Sequence, residues 1–319
     1  MKSQIVLLKR LVVNMSEDFV TVVGSLNFDI IFKQKKLPAI GETYTADSIS
    51  FCSGGKGANQ AVQCAKLGLK TFMVGKIGDD YFGGVLKQNL SNYGVDTSYV
   101  TTSSVNTGIG VVNSIDDGSL VATIAKGANY SLTQADIDQA EKIIAKSKVV
   151  ILQLEVPTEI VQYTIKVAKK YNCYVILNGA PASEISDETL KLVDCFVVNE
   201  AEASFYAGEQ VSSYRDAEKV CEKLHAKVGQ HLIITLGSQG SLIFDGTEKL
   251  FILPNKVNVV ETTGAGDSYI GAFAYAITTG MTLREAGEFA SKVSSLTVLK
   301  IGGQDAMPSI DEVNTTNVI

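Results

Sequence analysis

Short apolar segments alternate with amphipathic segments along most of this chain. Continuous apolar runs of the kind found in buried parallel strands occur at residues 19–24, 71–75, 149–152, 174–177, 195–198 and 232–236. Apolar residues at helical spacing occur at 54–67, 81–92, 133–146, 157–170, 188–192, 200–207, 213–227 and 265–279. Additional short strands are predicted at 241–244, 249–253 and 256–260. This alternation predicts an α/β fold with a doubly wound, mainly parallel sheet and helices on both faces.

Two segments interrupt this alternation with strands and no helix. Residues 30–53 and 108–126 both show short alternating runs punctuated by turn residues. We predict that the two segments form one small β-sheet, a lid over a binding site. Two unrelated surface hairpins are the alternative. The predicted organisation is therefore an extension at 1–18 followed by one domain at 19–319 that carries the lid.

The extension makes a poor signal peptide, because Lys9 and Arg10 interrupt its apolar run and no small-residue cleavage site follows. Met15 is a candidate second start, directly before the first predicted strand. We expect a chain that begins at Met15 to fold. No apolar run approaches the roughly 20 residues that a membrane-spanning helix needs.

The charge and the cysteines exclude several classes of function. The chain of 319 residues has a formal net charge of −6, and its basic residues are dispersed, which argues against nucleic acid or an anionic membrane as a partner. The five cysteines are scattered without a C-x-x-C pair, which favours reduced thiols in a cytoplasmic protein over disulfides or a zinc site. The two histidines, His225 and His231, are expected at a helix end and a strand start rather than in catalysis.

A glycine-rich turn at 261–269 opens the predicted helix 265–279. Backbone N–H groups at such a helix start are unpaired and lie at the positive end of the helix dipole, so Gly264, Ala265 and Gly266 are candidates for an anion hole. Asp267 then places a carboxylate beside the bound anion, where it is a candidate base. The alternative is an ordinary turn in which Asp267 only favours the helix dipole.

Two nucleotide-binding motifs are excluded. The turn lacks the third glycine of a dinucleotide-binding fingerprint, because Tyr269 stands at that position. The segment 50–57 lacks both ends of a P-loop, since Ser50 replaces its first glycine and Gly57 its Ser/Thr.

Polar or glycine residues follow several of the predicted sheet strands. They are Asn27, Asp29, Glu155, Asn178, Gly179, Asn199, Glu200 and Gly237. Since the carboxyl ends of parallel strands meet at one edge of the sheet, this pattern predicts a binding crevice there. Taken alone, Asn27 and Asp29 slightly favour the alternative of a turn-forming pair.

Seven stretches of the chain resemble the ribokinase-like (PfkB) family of carbohydrate kinases. They are GSLNFD at 24–29, GGKGANQA at 54–61, QLE at 153–155, NGAPA at 178–182, VNEAE at 198–202, ITLGSQG at 234–240 and GAGD at 264–267. They occur in the family's order over roughly residues 19 to 310. The resemblance implies ATP-dependent phosphorylation of a free sugar hydroxyl, with the 5-hydroxyl of D-ribose as the leading candidate. A kinase for another pentose, deoxyribose or a nucleoside is the first alternative, and a non-catalytic sugar-binding sensor is the second.

The resemblance also implies roles for individual residues. Asp267 would be the catalytic base, with the anion hole formed by Gly264, Ala265 and Gly266. Sugar-binding residues would be Asn27, Asp29, Gly55, Lys56, Asn59, Glu155 and Asp267. ATP-binding residues would be Asn199, Thr235, Gly237, Gly240, Ala265 and Gly266. Asn199 and Glu202 would organise Mg²⁺ through water, and the same pair has the spacing of a helix capping box, a role compatible with the first.

One departure from the family pattern concerns a monovalent cation. The resemblance implies a possible K⁺ site at Glu261, Thr263, Thr297 and Gly302, but Glu261 stands where the family usually has Asp. The longer side chain moves the carboxylate by more than a bond length. The resemblance further implies a homodimer formed through the lid.

Overall fold

The computed structural model describes residues 19–116 and 120–316, so the predicted extension at 1–18 lies outside the described residues. The strands are β1 (Phe19–Val23), β2 (Asn27–Gln34), β3 (Ser48–Gly54), β4 (Lys70–Gly78), β5 (Val95–Ser103), β6 (Gly108–Ile115), β7 (Leu120–Ala125), β8 (Val149–Leu152), β9 (Tyr174–Asn178), β10 (Cys195–Val198), β11 (His231–Thr235), β12 (Ser241–Phe244) and β13 (Lys249–Ile252). The helices are α1 (Lys56–Lys66), α2 (Tyr81–Asn92), α3 (Gln134–Ile144), α4 (Thr158–Lys170), α5 (Asp187–Leu190), α6 (Glu200–Ala207), α7 (Tyr214–His225), α8 (Ala265–Thr279), α9 (Leu283–Thr297) and α10 (Ile310–Thr315).

Nine strands form the main sheet in the order β13-β12-β11-β10-β9-β8-β1-β4-β5. The strands from β11 to β5 in this order pair in parallel, and β12 and β13 add an antiparallel edge. The predicted fold class is confirmed.

Successive side chains of the central strands belong to two separate cores. In β8, Ile151 packs into the core on the side of α1, α8 and α9, and Val150 packs into the core on the side of α3, α4 and α7. Because neighbouring residues of a strand point to opposite faces, a strand covered by helices on both faces must be apolar throughout. This explains why the strands appear in the sequence as continuous apolar runs.

The two segments that interrupt the alternation form one four-stranded sheet in the order β3-β2-β6-β7. Strand β2 pairs with β6 in parallel and with β3 in antiparallel orientation, so residues from both segments lie side by side. Asn27 and Asp29 lie in β2 of this small sheet and not in a turn.

The prediction was wrong at residues 256–260 and missed strand β5 and helices α9 and α10. Residues 256–260 do not form a strand, because Val259 and Val260 are exposed and the Val260 N–H donates to the Val298 carbonyl at the end of α9. Strand β5 was missed because it lies at the sheet edge and has few buried residues. Helix α9 was also missed, although Thr282 and Glu285 form a capping box at its start, a signal present in the sequence.

Candidate active site

The glycine-rich turn begins helix α8 as predicted. Gly264 is the N-cap residue with a φ of 79°, a left-handed conformation that favours glycine. The Ala265 N–H donates to the Thr262 carbonyl at 3.2 Å, whereas the N–H groups of Gly266 and Asp267 donate to no backbone acceptor in the part of the chain that the structure describes. A Cβ atom on Gly266 would meet no heavy atom within 4 Å. The N–H groups of Gly264, Gly266 and Asp267 therefore lack a backbone acceptor among the described residues, with open space beside Gly266 and with Ala265 already engaged in the turn.

Asp267 is buried beside these donors, and two amide side chains of α1 hold its carboxylate. Asn59 Nδ2 donates to Oδ2 at 2.8 Å, and Gln60 Nε2 donates to Oδ1 at 2.9 Å. Close packing of the two helices makes these contacts possible, since a Cβ atom on Gly271 of α8 would lie 2.7 Å from the Cβ atom of Gln63 of α1. A residue predicted to bind the sugar and the predicted base are thus in direct contact.

The other predicted sugar-binding residues gather around the start of α1. Gly55 is the N-cap of α1 with a φ of 90°, and a side chain there would lie 2.7 Å from the Asn27 backbone nitrogen. Glu155 Oε2 accepts hydrogen bonds from the Lys56 N–H at 3.2 Å and from Ser25 Oγ at 2.5 Å. The structure therefore joins residues from β2, α1 and the loop after β8 into one polar cluster.

The charged groups of this cluster shift one another's pKa values. Burial by itself lowers the pKa of Lys56, but four surrounding carboxylates outweigh this effect and raise the pKa. Lys56 therefore stays charged. The four carboxylates are those of Asp267, Glu155, Glu202 and Asp29. Burial raises the pKa of Asp29 to about 7, helped by Glu155 and Asp267 and opposed by Lys56. Strongly perturbed groups of opposite charge in one polar cluster are typical of a functional site.

The residues predicted to bind ATP and Mg²⁺ lie at the ends of β10 and β11. Asn199 and Glu202 form the predicted capping box of α6, because Asn199 Oδ1 accepts from the Glu202 N–H at 2.9 Å and Glu202 Oε2 accepts from the Asn199 N–H at 2.8 Å. Burial raises the pKa of Glu202, although the Asn199 N–H opposes the shift. Thr235 Oγ1 lies 3.4 Å from the Val198 carbonyl, which ties the two strand ends together.

Two glycines follow β11 in left-handed conformations. Gly237 has a φ of 50° and open space around it apart from Glu200, whereas Gly240 has a φ of 93°. A side chain on Gly240 would overlap the Ile252 carbonyl, so the turn into β12 itself requires this glycine.

Three of the four predicted K⁺ residues, Glu261, Thr263 and Gly302, are in contact with one another. Glu261 Oε1 accepts from the Thr263 hydroxyl at 2.8 Å, and Glu261 Oε2 accepts from the Gly302 N–H at 2.9 Å. The Thr297 hydroxyl is buried in the packing of α9 against α8, 2.6 Å from Ser268 Oγ. Both carboxylate oxygens of Glu261 therefore already have donors within the protein.

Several residues of the site were missed by sequence reasoning. Ser25, Gln60 and Gln153 lie inside three of the family-like stretches without a predicted role, and Asn129 and Gln304 lie outside all seven stretches. Asn129 Nδ2 donates to Asn27 Oδ1 at 2.7 Å, and Gln304 Nε2 donates to Asn59 Oδ1 at 2.9 Å. No periodicity marks these residues, so only the assembled fold identifies them.

The histidines lie where the sequence predicted. His225 is the last residue of α7 and His231 the first of β11. All five cysteines are unpaired, and four of them are buried. Across residues 19–116 and 120–316, no helix is long and apolar enough to cross a membrane.

Comparison with known proteins finds matches over most of the chain. The family described as pfkB family carbohydrate kinase matches residues 17–310. The chain is 37% identical over 296 residues to the ribokinase of Bacillus subtilis, covering 92% of this chain and 97% of that protein. It is 34% identical over 297 residues to the deoxyribokinase of Salmonella typhi, with the same coverage of 92% and 97%.

A solved structure shows the same fold at this level of identity. The ribokinase of Arabidopsis thaliana complexed with ribose and ATP superposes with a TM-score of 0.87 and is 34% identical, covering 93% of this chain and 97% of that one. With the family pattern matched from residue 17 to residue 310 and the candidate base seated at the start of α8, the chain belongs to the pfkB family of carbohydrate kinases.

Proposed function

We propose that this protein transfers the terminal phosphoryl group of ATP to the 5-hydroxyl of D-ribose. The observation that carries the proposal is the position of Asp267, whose carboxylate contacts Asn59 while the adjacent N–H groups at the start of α8 lack backbone acceptors. Phosphoryl transfer needs a base and anion-stabilising donors side by side. Relatives at 34–37% identity are named ribokinases, and one was solved with ribose and ATP.

In the proposed reaction, Asp267 accepts the proton of the attacking hydroxyl. A carboxylate is a weak base, but the transition state of phosphoryl transfer is loose and the proton leaves late, so position matters more than basicity. The N–H groups of Gly266 and Asp267 stabilise charge that develops on the transferred group. The Ala265 N–H contributes once its long bond to the Thr262 carbonyl opens.

The polar cluster around α1 provides the contacts that a polyol needs. Lys56 donates, Asp29 and Glu155 accept, and the amides of Asn27 and Asn59 do both. Gly55 lets the start of α1 pack closely against the Asn27 backbone, because a side chain at that position would clash with it. Many fixed donors and acceptors favour a free sugar over a nucleoside, whose base requires an apolar wall.

Asn199 and Glu202 fit a role in organising Mg²⁺. The capping box uses only one carboxylate oxygen of Glu202, and burial disfavours its charged form, which a nearby cation would restore. Mg²⁺ takes few protein ligands and keeps several waters, so one carboxylate and one amide are enough. When bound, the ion neutralises phosphate charge. Thr235, Gly237 and Gly240 complete the proposed nucleotide side.

Deoxyribose is the second candidate substrate. The deoxyribokinase of Salmonella typhi is as similar to this chain as the ribokinase of Haemophilus influenzae, each at 34% identity. Other pentoses and nucleosides remain part of the test. A sugar-binding sensor without catalysis is disfavoured because Asp267 and the turn glycines are all present.

The experiment is ADP release from Mg-ATP with a panel of ribose, deoxyribose, fructose, other pentoses and nucleosides. Asp267→Asn is the control, and we expect it to lower kcat by about 10²- to 10⁴-fold, the usual contribution of a general base. Ribose turnover that disappears in this variant supports the proposal. Tight ribose binding without turnover of any substrate would favour the sensor.

The proposal extends to assembly and compartment. Ile49, Phe51, Val121 and Ile124 of the small sheet are apolar and exposed, which supports pairing of two such sheets in a homodimer. Sedimentation of the protein and of Phe51→Glu tests this, since a dimer should dissociate in the variant. The unpaired cysteines support a cytoplasmic location, where thiols stay reduced.

A further inference from the structure

Gln60 connects the Asp267 carboxylate to a second glutamine deeper in the protein. Gln60 Nε2 donates to Asp267 Oδ1 at 2.9 Å, and Gln153 Nε2 donates to Gln60 Oε1 at 2.6 Å. Both glutamine side chains have no exposed surface. Gln60 therefore acts on the site through Asp267 and not through the sugar.

The charge of Asp267 determines the orientation of both amides. An ionised carboxylate only accepts hydrogen bonds, so Gln60 must turn its NH₂ group toward Asp267 and its oxygen toward Gln153. Gln153 must then turn its own NH₂ group toward Gln60. Gln153, Gln60 and Asp267 thus form a row of hydrogen bonds in which each residue donates to the next, ending at the carboxylate.

Within the described part of the chain, this orientation leaves one buried oxygen without a hydrogen bond, at the far end of the row from Asp267. Gln153 Oε1 is buried and has no hydrogen-bond partner among the described residues. It lies against Gly24, where a Cβ atom would overlap this oxygen. An unpartnered buried carbonyl oxygen is uncommon in proteins, and here the carboxylate accounts for it.

A matching row holds the other carboxylate oxygen. Asn59 donates to Asp267 Oδ2, Gln304 donates to Asn59, and Asn89 Nδ2 donates to Gln304 Oε1 at 2.7 Å. Asn59, however, is also a proposed sugar contact. Among the described residues, the side chains that donate to the Asp267 carboxylate are thus Asn59 and Gln60. Of these two, only Gln60 has no proposed contact with the sugar.

We propose that Gln60 is a positioning residue for Asp267 and that Gln153 holds Gln60 in its donating orientation. The bond to Oδ1 fixes the plane of the carboxylate against the attraction of the nearby Lys56 ammonium. The carboxylate then keeps one lone pair directed at the attacking hydroxyl. This inference rests on the proposed kinase function.

The test compares Gln60→Met with Gln63→Met in the full-length protein. Gln63 lies one turn further along α1, is equally buried, and also bonds to α8, through the Ser268 hydroxyl at 2.8 Å, but it does not contact the carboxylate. Methionine keeps the unbranched shape and removes the donor. We expect Gln60→Met to lower kcat by about tenfold or more with nearly unchanged KM for sugar and ATP, because a displaced catalytic group costs rate rather than binding.

Gln63→Met should keep kcat within about twofold, since it removes the hydrogen bonds to Ser268 and Pro308 but none to the Asp267 carboxylate. Gln153→Met should also lower kcat, but by less than Gln60→Met. It replaces Gln60→Met as the test variant if Gln60→Met does not fold. In an Asp267→Ala background, Gln60→Met should leave the residual rate unchanged.

Two outcomes overturn the inference while leaving the proposed function intact. One is a Gln60→Met variant with the same kcat as Gln63→Met in a chain whose wild type phosphorylates a sugar. The other is an equal further loss in the Asp267→Ala background, which would indicate a packing effect. A wild type inactive on every sugar would instead overturn the proposed function.

Discussion

The carboxylate of Asp29 fills the space that a side chain on Gly54 would occupy. A Cβ atom on Gly54 would overlap Asp29 Oδ2, and one on Gly110 would overlap Oδ1. Gly54, Asp29 and Gly110 lie on the adjacent strands β3, β2 and β6, so three strands of the small sheet form one slot for this carboxylate. The glycines are needed there to hold Asp29 in place.

Gly54→Ala should therefore impair sugar binding. The added methyl group must displace the carboxylate or the strand, and overpacking of this kind costs about 1–3 kcal/mol of stability. We expect the Kd for ribose, measured by calorimetry, to rise at least about tenfold, which corresponds to about 1.4 kcal/mol. Gly84→Ala is the control, because Gly84 is exposed in α2 with no atom near its Cβ position. Unchanged ribose affinity in Gly54→Ala would contradict the prediction that Gly54 keeps the Asp29 carboxylate in position for the sugar.

Asp29 should make the stability of the protein depend on pH. Its pKa is raised from 3.8 to about 7 in the folded state, so the folded chain binds more protons than the unfolded chain between these values. The free energy of unfolding therefore falls as pH rises through this window, by at most about 4 kcal/mol at about 1.4 kcal/mol per pKa unit. Urea denaturation at pH 5 and pH 8 should show Asp29→Asn more stable than wild type at pH 8, with a smaller difference at pH 5.

Ribose binding provides a check of opposite sign. The ionised carboxylate is the stronger acceptor, so ribose affinity of the wild type should increase as pH rises through about 7. Asp29→Asn should bind ribose weakly at every pH. A stability difference that does not change between pH 5 and pH 8 would show that Asp29 titrates normally.

Glu202→Gln should separate the capping role of Glu202 from its proposed metal role. Glutamine at the third helical position can still accept from the Asn199 N–H, so the cap is kept while the charge is lost. We expect an unchanged Tm together with about a tenfold rise in KM for Mg-ATP or an equal loss of kcat. Steady-state kinetics at varied Mg²⁺ concentration measures this.

Glu285→Ala is the matched control for the cap. Thr282 and Glu285 form the same motif at the start of α9, with the Thr282 N–H donating to Glu285 Oε2 at 2.8 Å. This variant should lose about 0.3–1.5 kcal/mol of stability and keep its kinetics. If Glu202→Gln has wild-type kinetics at limiting Mg²⁺, the proposed metal role is wrong.

Activation by K⁺ should be weak in the wild type and stronger in Glu261→Asp. Both carboxylate oxygens of Glu261 already accept hydrogen bonds, from Thr263 and from the Gly302 N–H. A side chain shorter by one methylene reaches both partners less well, which frees an oxygen for a cation. The measurement is kcat in K⁺ against Na⁺ at equal ionic strength, and strong K⁺ activation of the wild type would refute the prediction.

Much of the site was visible in the sequence as separate stretches. The glycine turn with Asp267, the polar residues after the strands and the Asn199–Glu202 pair each carry a local signal, because turns, caps and strand ends have residue preferences of their own. The small sheet was also predicted, since its two segments show strand periodicity without helices.

The connections between these stretches were not visible. Asn59 and Gln60 lie more than two hundred positions before Asp267, and their hydrogen bonds exist because α1 packs against α8. The raised pKa of Asp29 likewise depends on burial and on Glu155, which follows a different strand.

The sequence by itself determined most of the strands and helices in their order, the class of the fold and the family to which the chain belongs, but it missed β5, α9 and α10. Apolar periodicity is a local property, set by which face of an element is buried. The tertiary structure decided which polar side chains are in contact and which carboxyl groups have a raised pKa. It also decided that Gln60 donates a hydrogen bond to Asp267. Those properties depend on distances and burial across the whole fold, and a linear pattern does not record them.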